Sequence, residues 1–227
     1  MELRDRIINS AYELFSIKGY EKTTIAEIIQ LAECSKGGFY HHFKSKEEIL
    51  EVIISNYIDN LSKSLKNIVT NNDYTFIEKF NAIFMVISQY KLHQLTEWSK
   101  VNNLFIFSGN DRILRQIEKQ FIIATTGAYF KVIRLGEEQA TVNVKHTEIL
   151  AELCTRVILW IFEVALKLIN SDDDKDHNRF EKLLDFNEEL INHELGLQKN
   201  QVKFKDTALS YLQNIREYYL GKKEELR

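Results

Sequence analysis

Hydrophobic residues recur along the whole chain at the spacing of amphipathic helices. In residues 3–18, apolar side chains return every three or four positions, so that they share one helix face. The same periodicity predicts nine further helices, separated by capping residues, Gly, Asn and Asp rather than by proline. Their approximate ranges are 24–32, 35–43, 45–69, 74–92, 96–107, 111–135, 146–170, 177–195 and 200–220.

Composition agrees with an all-α fold. The 227 residues include no proline and eight glycines. Average usage of about 5% proline and about 7% glycine would give roughly 11 and roughly 16. Because proline interrupts helices and glycine supplies the positive φ angles of hairpins, their scarcity disfavours an all-β sandwich and excludes collagen-like or proline-rich disordered chains.

Cysteine usage and the first residues of the chain predict a cytoplasmic protein. Cys34 and Cys154 lie far apart and have no Cys or His partner at metal-ligand spacing, which indicates two free thiols in a reducing compartment. The N-terminus alternates in charge and lacks the apolar stretch of a signal peptide. The longest apolar run, 157–166, is too short to cross a bilayer. We therefore expect no membrane partner and no cofactor.

Three short helices followed by a long one, all within 70 residues, predict a compact N-terminal domain. Two residues, Glu33 and Cys34, separate the second and third helices, which is helix-turn-helix spacing. Capping boxes begin the second helix at Thr24 and the fourth at Ser45. Residues 34–46 contain three lysines, two histidines and no acid, although the whole chain carries a net charge of −3. A local basic face of this kind is what a phosphate contact needs.

The segment from Thr23 to Leu50 resembles the DNA-binding signature of the tetracycline-repressor (TetR) family. Two threonines, a Ser-Lys-Gly-x-x-Tyr-x-His-Phe core and a following Lys-Glu occur in register, and the resemblance covers about residues 4–55. Within the family, this half is most similar to the multidrug-binding repressors of Gram-positive bacteria. The resemblance implies a helix-turn-helix DNA-binding domain in residues 1–46, joined by a long helix to a ligand-binding and dimerisation domain in residues 47–227.

The expected DNA contacts lie in the second and third helices and at the start of the fourth. Thr24 combines a hydroxyl with free backbone N–H groups where a phosphate can sit, and the third helix offers its N-terminal end to base edges. The resemblance gives Lys36 and His42 the base-reading positions, and it gives Tyr40, His41 and Lys46 positions that contact phosphates. Tyr40 is alternatively a half-buried packing residue, and Lys44, the remaining lysine of the basic face, is alternatively an ordinary solvated lysine. The expected DNA-binding residues are Thr24, Ser35, Lys36, Gly37, Gly38, Tyr40, His41, His42 and Lys46.

The third helix also contains two glycines and two phenylalanines with separate expected roles. Gly37 and Gly38 each cost about 1 kcal/mol in a helix interior, which a closely docked DNA surface would offset. Phe39 and Phe43 are expected to face the core of the small domain. The outer face of this helix is therefore predicted to be bare where DNA approaches.

Three residues depart from the family pattern at the turn and before it. Glu33 replaces the usual turn glycine, Ile29 a usual alanine and Cys34 a usual valine. If Glu33 keeps a positive φ angle, this conformation costs about 1 kcal/mol. Its carboxylate also brings negative charge to the DNA-facing turn.

Residues 74–170 contain more aromatic side chains than helix packing alone requires. Most are expected in the core, but buried Trp and Tyr need polar partners, which favours a ligand pocket with mixed walls. Glu163 interrupts the longest apolar run. It either selects a lipophilic cation beside aromatic faces or points to solvent or a partner subunit. The expected ligand-binding residues are Tyr90, Trp98, Phe105, Phe121, Tyr129, Trp160 and Glu163.

Two predicted helices carry apolar stripes that indicate a homodimer. In the resembled family two such helices from each subunit form a four-helix bundle, which sets the recognition helices one DNA turn apart, about 34–36 Å. The helix near 200–220 either covers the ligand pocket or extends this interface. The stripes are Ile149, Leu153, Val157 and Trp160, and Phe180, Leu183, Leu184, Asn187, Leu190 and Ile191.

These features favour a ligand-responsive transcriptional repressor. It is expected to bind a palindromic double-stranded DNA operator as a homodimer and to be released by a small, lipophilic effector. The alternative is a helical regulator without a small-molecule ligand that acts through a protein partner, and a fully packed second domain would favour it. An enzyme is disfavoured, because the sequence has no P-loop, GxGxxG, GxSxG or HExxH motif.

No metal site is expected either. Adjacent His41 and His42 point about 100° apart on a helix, so they cannot share one metal ion. The acidic run 172–176 alternates like calcium ligands but lacks the glycine and the glutamate of a calcium loop. We interpret this run as a solvated connection between helices.

Overall fold

The computed structural model describes residues 1–98, 111–171 and 173–225, apart from the side chains of 57, 93–98, 111–114 and 222–225. Within these ranges the regular secondary structure is α-helical throughout, which confirms the predicted fold class. No helix, as far as it is described, combines the length and the apolar character needed to cross a membrane. The helices are α1 (Leu3–Lys18), α2 (Ile25–Leu31), α3 (Lys36–His42), α4 (Lys46–Thr70), α5 (Phe76–Trp98), α6 (Asp111–Glu138), α7 (Thr147–Leu168), α8 (Asp174–Glu194) and α9 (Lys205–Glu225).

Helices α1 to α4 agree with their predicted ranges to within a residue, because their ends are set by local capping signals. Later boundaries differ more. The predicted helix 96–107 lies mostly outside the described residues, and its first part belongs to α5. The predicted break at Gly136 is wrong, since α6 continues through it to Glu138. Ala140, two residues after the helix, takes a left-handed φ of 53°.

Gly136 is a point of close packing rather than a helix stop. A β-carbon at this position would lie 2.5 Å from Cδ2 of Phe76 and 2.9 Å from Cγ2 of Val142. The missing side chain therefore lets the Phe76 ring lie directly on the α6 backbone. Sequence periodicity does not reveal this role, because the contact joins residues far apart in the chain.

The chain divides into two compact units. Unit 1 consists of Met1–Asn60 with the described part of Thr96–Phe121, and unit 2 consists of Leu61–Leu95 with the described part of Ile122–Arg227. Helices α4 and α6 each contribute residues to both units. The predicted division after residue 46 stays a prediction about independent domains.

Unit 1 has a small core formed around α1, α2 and α3. Phe39 and Phe43 are 0% and 2% exposed, which confirms that they face this core. The rings of Phe15 and Tyr20 pack edge to face with their centres 5.1 Å apart. Other buried apolar residues of this unit include Ile7, Ala11, Ile28, Ala32, Ile49 and Leu50.

Helix α9 closes the core of unit 2. It packs on α7 and α8, and the Tyr211 ring meets Phe162 of α7 with centres 4.7 Å apart. Just before α9, the Phe204 ring lies 5.1 Å from that of Phe84 in α5. Helix α9 therefore belongs to the core of unit 2.

Buried polar side chains organise the connection into α9. Asn192 is 3% exposed, and its Oδ1 accepts hydrogen bonds from the backbone N–H groups of Gln201 (3.3 Å) and Val202 (3.0 Å). Glu188 Oε1 accepts from the N–H groups of Phe204 and Lys205, both at 2.6 Å. These long-range caps explain why α9 begins five residues later than the predicted start at 200.

Replacing Gly136 by Ala is expected to destabilise the protein by about 1–3 kcal/mol, because the new methyl group must displace the Phe76 ring. Gly127 on the same helix is the matched control, since a β-carbon there meets no atom within 4 Å. Gly127→Ala should instead stabilise by about 0.5–1 kcal/mol through helix propensity. Urea unfolding of both variants measures the difference, and equal effects would contradict the packing role.

Candidate nucleic-acid interface

The start of α2 is held by a reciprocal capping box. The Thr24 hydroxyl accepts a hydrogen bond from the Glu27 N–H at 3.3 Å. Glu27 Oε2 accepts from the Thr24 N–H at 2.9 Å and from its hydroxyl at 2.7 Å, which confirms the predicted capping box. Because a threonine hydroxyl has a single hydrogen, Thr24 must exchange its bond to Glu27 before it can donate to a phosphate.

Glu27 is the acidic counterpart of this cap. Lys18 forms an ion pair with it. Hydrogen bonds from Lys18 and Thr24 lower the pKa of Glu27 to about 2, so its carboxylate is ionised at neutral pH. The negative charge complements the positive end of the α2 dipole, the same position that an incoming phosphate would use.

Glu33 occupies the left-handed position of the turn between α2 and α3, with a φ of 49°. Its N–H donates to the Gln30 carbonyl, and the Cys34 N–H donates to the Ile29 carbonyl, both at 3.2 Å. This pair of bonds is the Schellman ending of a helix, in which glycine is the usual left-handed residue. The turn therefore keeps the geometry of a glycine turn although the residue is glutamate.

Helix α3 begins at a serine cap and has one bare glycine and one packed glycine. The Ser35 hydroxyl accepts from the Gly38 N–H at 3.0 Å. A β-carbon on Gly38 would lie 3.2 Å from Ser35 Oγ and 3.3 Å from Cδ2 of Leu3, so the protein itself restricts this position. A β-carbon on Gly37 would meet only Ser35 Oγ, at 3.9 Å. Gly37 alone is thus unconstrained from the protein side.

All nine residues predicted to bind DNA are at least partly accessible. Tyr40 is 47% exposed, and its ring also packs edge to face on that of Phe39 with centres 5.3 Å apart, which is compatible with both of its predicted roles. The rings of His41 and His42 lie edge to face with centres 5.0 Å apart. The exposed members are Thr24, Ser35, Lys36, Gly37, Tyr40 and His41, and the half-buried ones are Gly38, His42 and Lys46.

Lys46 is engaged in a structural contact that the sequence did not reveal. Its Nζ donates to the backbone carbonyls of Tyr20 (2.8 Å) and Thr23 (3.0 Å) and lies 4.2 Å from the centre of the Tyr20 ring. The buried Tyr20 hydroxyl donates to Glu47 Oε1 at 2.8 Å, which lowers the pKa of that carboxyl. We call Lys46, Tyr20, Thr23 and Glu47 the Lys46 clamp. It ties the first turn of α4 to the segment between α1 and α2.

The Lys46 clamp changes how the predicted phosphate contact is understood. An ammonium group has three donors, and two of them already serve backbone carbonyls. Only one remains for a phosphate. The sequence signals that point to the clamp are Tyr20, buried directly after the Gly19 that ends α1, and the Lys-Glu pair at the start of α4.

The second predicted capping box, at the start of α4, forms only one of its two expected hydrogen bonds. The Ser45 hydroxyl accepts from the Glu48 N–H at 3.3 Å. The Glu48 carboxylate accepts from the N–H of Lys44 at 2.7 Å, rather than from that of Ser45. Helix α4 therefore begins where the sequence predicts, and its cap also holds the loop that leaves α3.

The described residues among those predicted to bind a ligand are distributed over both units. Phe121 is buried in unit 1, whereas Tyr129 is buried in unit 2, where its ring lies 4.9 Å from that of Phe80. Tyr90 is half-buried in unit 2. The side chain of Trp98 and the whole of Phe105 lie outside the described residues.

Trp160 and Glu163 lie on the outer face of α7. Trp160 is 48% exposed, and Glu163 is exposed and pairs with Lys167 at 2.7 Å. This arrangement matches the alternative in which Glu163 faces solvent or a partner subunit. The apolar periodicity of α7 is the same whichever neighbouring helices cover it. The sequence therefore did not reveal that Trp160 and Glu163 are exposed.

Unit 2 contains two recesses that none of the predicted ligand residues lines. One, between α5 and α9, has a volume of about 320 Å³ and includes Ser88, Asp206 and Tyr211 in its walls. The other lies between α4 and α6 and has a volume of about 520 Å³. Both volumes are of the size that holds small ligands, about 300–1,000 Å³.

Helix-turn-helix geometry with an exposed, basic α3 defines a DNA-binding transcription regulator, and comparison with known proteins gives its family. The model for bacterial regulatory proteins of the tetR family matches residues 7–53. Over 134 residues the chain is 32% identical to the HTH-type transcriptional regulator QacR of Staphylococcus aureus, covering 55% of this chain and 67% of QacR. The chain belongs to the TetR family.

Two further comparisons bear on function and on fold. The chain is 28% identical over 109 residues to the biofilm operon negative transcriptional regulator IcaR of Staphylococcus aureus, covering 48% of this chain and 59% of IcaR. The structure of SmeT in its complex with triclosan superimposes with a TM-score of 0.61 at 16% identity, covering 88% and 93% of the two chains. The latter shows a shared fold. These relatives are transcription regulators and not enzymes, as expected.

Replacing Glu33 by Gly is expected to stabilise the protein by up to about 1 kcal/mol, because glycine adopts a left-handed φ without steric cost. Glu33→Gln is the matched control, since it removes the charge but keeps the β-carbon. The free energy of unfolding in urea should rise for the Gly variant and stay unchanged for the Gln variant. An equal gain in both would assign the effect to charge and not to backbone strain.

Proposed function

We propose that this protein is a homodimeric, ligand-responsive repressor that binds a palindromic operator. The observation that carries the proposal is the surface of α3, where Gly37 is bare and Lys36 and Tyr40 are exposed at the end of the helix that reaches base edges. Glycine in a helix interior costs about 1 kcal/mol, and no packing against the protein requires it at this position. Close approach by the DNA surface explains it.

The face of α7 and α8 that the chain leaves uncovered supports the dimer. Ile149 and Phe186 are 66% and 62% exposed, and Trp160 is 48% exposed. Leu183 and Leu190 are half-buried and share a helix face with Phe186. Large apolar side chains exposed on adjacent helices are typical of a protein–protein interface. An isologous contact through this dimer face gives the two-fold symmetry that a palindrome demands.

The members of the predicted stripes divide between this dimer face and the core. Val157, Phe180, Leu184, Asn187 and Ile191 are buried inside their own chain and leave no surface for a partner. The apolar residues of α7 and α8 that remain accessible to a second subunit include Ile149, Leu153, Trp160, Leu183, Phe186 and Leu190. Phe186, which the predicted stripe omitted, is the most exposed of them on α8.

Release by an effector is the regulatory part of the proposal. QacR, 32% identical to this chain, is a transcriptional regulator, and SmeT, with a similar fold, forms a complex with triclosan. A ligand bound in unit 2 would shift α4, which is one helix from Lys46 to Thr70, and so change the separation of the two recognition helices. A difference of about 1–3 kcal/mol between the two states gives about 5- to 150-fold coupling.

Gly37→Ala separates DNA binding from stability. The methyl group fits the protein and should stabilise α3 by about 0.5–1 kcal/mol, yet it should weaken operator binding by roughly tenfold because it holds the α3 backbone away from DNA. The measurement is a gel-shift titration on the DNA upstream of the protein's own gene. Gly221→Ala, on α9 and equally unhindered, is the control that should bind as the unaltered protein does. Unchanged affinity of Gly37→Ala would contradict docking through this face.

Phe186→Glu tests the dimer. The side chain is 62% exposed, so the fold of the chain should survive, but a charge in the centre of an interface should raise the dimer dissociation constant at least about 30-fold. Sedimentation equilibrium gives the dissociation constant. Tyr74→Glu, an exposed aromatic outside α7 and α8, is the control. Equal dimer stability in both variants would exclude this face as the interface.

A further inference from the structure

The recess between α4 and α6 in unit 2 has an apolar lining. Leu65 on its α4 side is 2% exposed and Val69 is half-buried, whereas Ile123 on its α6 side is 56% exposed. At Gly127 a β-carbon would meet no atom within 4 Å, so this wall is open space. The recess is thus a concave, mainly apolar groove with a volume of about 520 Å³.

The rim of this groove is positively charged from both sides. Lys66 of α4 and Lys131 of α6 both line it, and both are exposed. Neither makes an ion pair with a carboxylate in the described part of the chain, and the residues three and four positions away on each helix include no acid.

This charge contrasts with that of the whole molecule. The chain has a net charge of −3, and some other lysines of unit 2 pair with carboxylates, such as Lys205 with Asp185 (2.8 Å) and Lys167 with Glu163 (2.7 Å). Two ammonium groups on opposite walls of one apolar groove, without a carboxylate partner in the described residues, repel one another and attract an anion. The repulsion is relieved when a negative group lies between them.

We propose that the groove between α4 and α6 binds a small anionic amphiphile, a single carboxylate head on an apolar tail. The head lies between Lys66 and Lys131, and the tail covers Leu65, Val69 and Ile123. The α4 part of the groove, from Ser62 to Thr70, is roughly 12 Å long at about 1.5 Å per residue, which suits an extended alkyl chain. The identification of this ligand as the effector rests on the proposed repressor function.

The ligand class differs from the lipophilic cation that Glu163 suggested. Glu163 is paired with Lys167 on the surface of α7 and lines neither recess, so it provides no buried negative charge for a cation. The groove provides the opposite sign. A cation would meet two like charges there, which disfavours it relative to a neutral or anionic compound with the same tail.

Three probes with one tail and different heads test the charge preference. Dodecanoate, dodecanol and dodecyltrimethylammonium are titrated into the full-length protein without DNA, below their micelle-forming concentrations, and binding is followed by calorimetry. Dodecanoate should bind at least about tenfold more tightly than dodecanol, and the cation more weakly than either. Equal binding of all three, or tighter binding of the cation, would overturn the proposal.

Substitutions in the groove test its location. Gly127→Leu places a side chain in the groove, at a position where a β-carbon meets no protein atom within 4 Å, and should abolish dodecanoate binding. Gly221→Leu, at a position on α9 where a β-carbon is equally unhindered, should leave binding intact. Joint replacement of Lys66 and Lys131 by Gln should weaken dodecanoate at least about tenfold and leave dodecanol unchanged. Retained binding in Gly127→Leu would place the ligand elsewhere and overturn the proposal.

Operator release is then measured separately in gel shifts. If dodecanoate lowers operator affinity in the unaltered protein and not in Gly127→Leu, the groove is the effector site. If binding is lost in Gly127→Leu but operator affinity never responds, the effector assignment is overturned and the DNA-binding function stands. If no operator complex forms, the proposed repressor function fails. Calorimetry without DNA still shows whether the groove binds dodecanoate.

Discussion

The ammonium group of Lys46 is the interaction on which the DNA-binding unit depends. It donates to two carbonyls of the segment between α1 and α2 while sitting against the Tyr20 ring. Both carbonyls belong to the segment outside the helices, where the Tyr20 carbonyl also accepts the Thr23 N–H at 3.2 Å. A charged donor such as the Lys46 ammonium gives a stronger bond than a neutral one. The result fixes the first turn of α4 relative to α2, whose N-terminal cap carries Thr24. A residue that the family resemblance presents as a phosphate contact is therefore also a structural part of the fold.

Sparing use of glycine explains where backbone strain is located. In the described residues, Glu33, Ala140 and Asn200 hold positive φ angles of 49°, 53° and 64° without being glycine. Two glycines also hold positive φ angles, Gly19 at 87° and Gly196 at 67°. Others lie where a side chain would collide, as at Gly136, or where the backbone is exposed for approach, as at Gly37. Unit 1 thus has a non-glycine residue, Glu33, at the strained position of the α2–α3 turn and a glycine, Gly37, on the exposed surface of α3.

Local signals made the DNA-binding half predictable, and long-range contacts limited the rest. Capping boxes and helix-turn-helix spacing act within a few residues, so the ends of α1 to α4 and the inward direction of Phe39 and Phe43 followed from sequence. The later start of α9 depends on Asn192 and Glu188, which are distant in the chain. The exposure of Trp160 depends on which helices cover α7, and periodicity carries no information on that choice.

We expect the α2–α3 face of this chain to recognise a specific DNA sequence. Fluorescence anisotropy tests this with two duplexes of equal length and composition, the DNA upstream of the gene and a shuffled version, over a range of salt concentrations. The logarithm of the affinity should fall linearly with that of the salt concentration, and the upstream duplex should bind at least about a thousandfold more tightly at physiological salt. Equal affinity for the two duplexes at every salt concentration would contradict it.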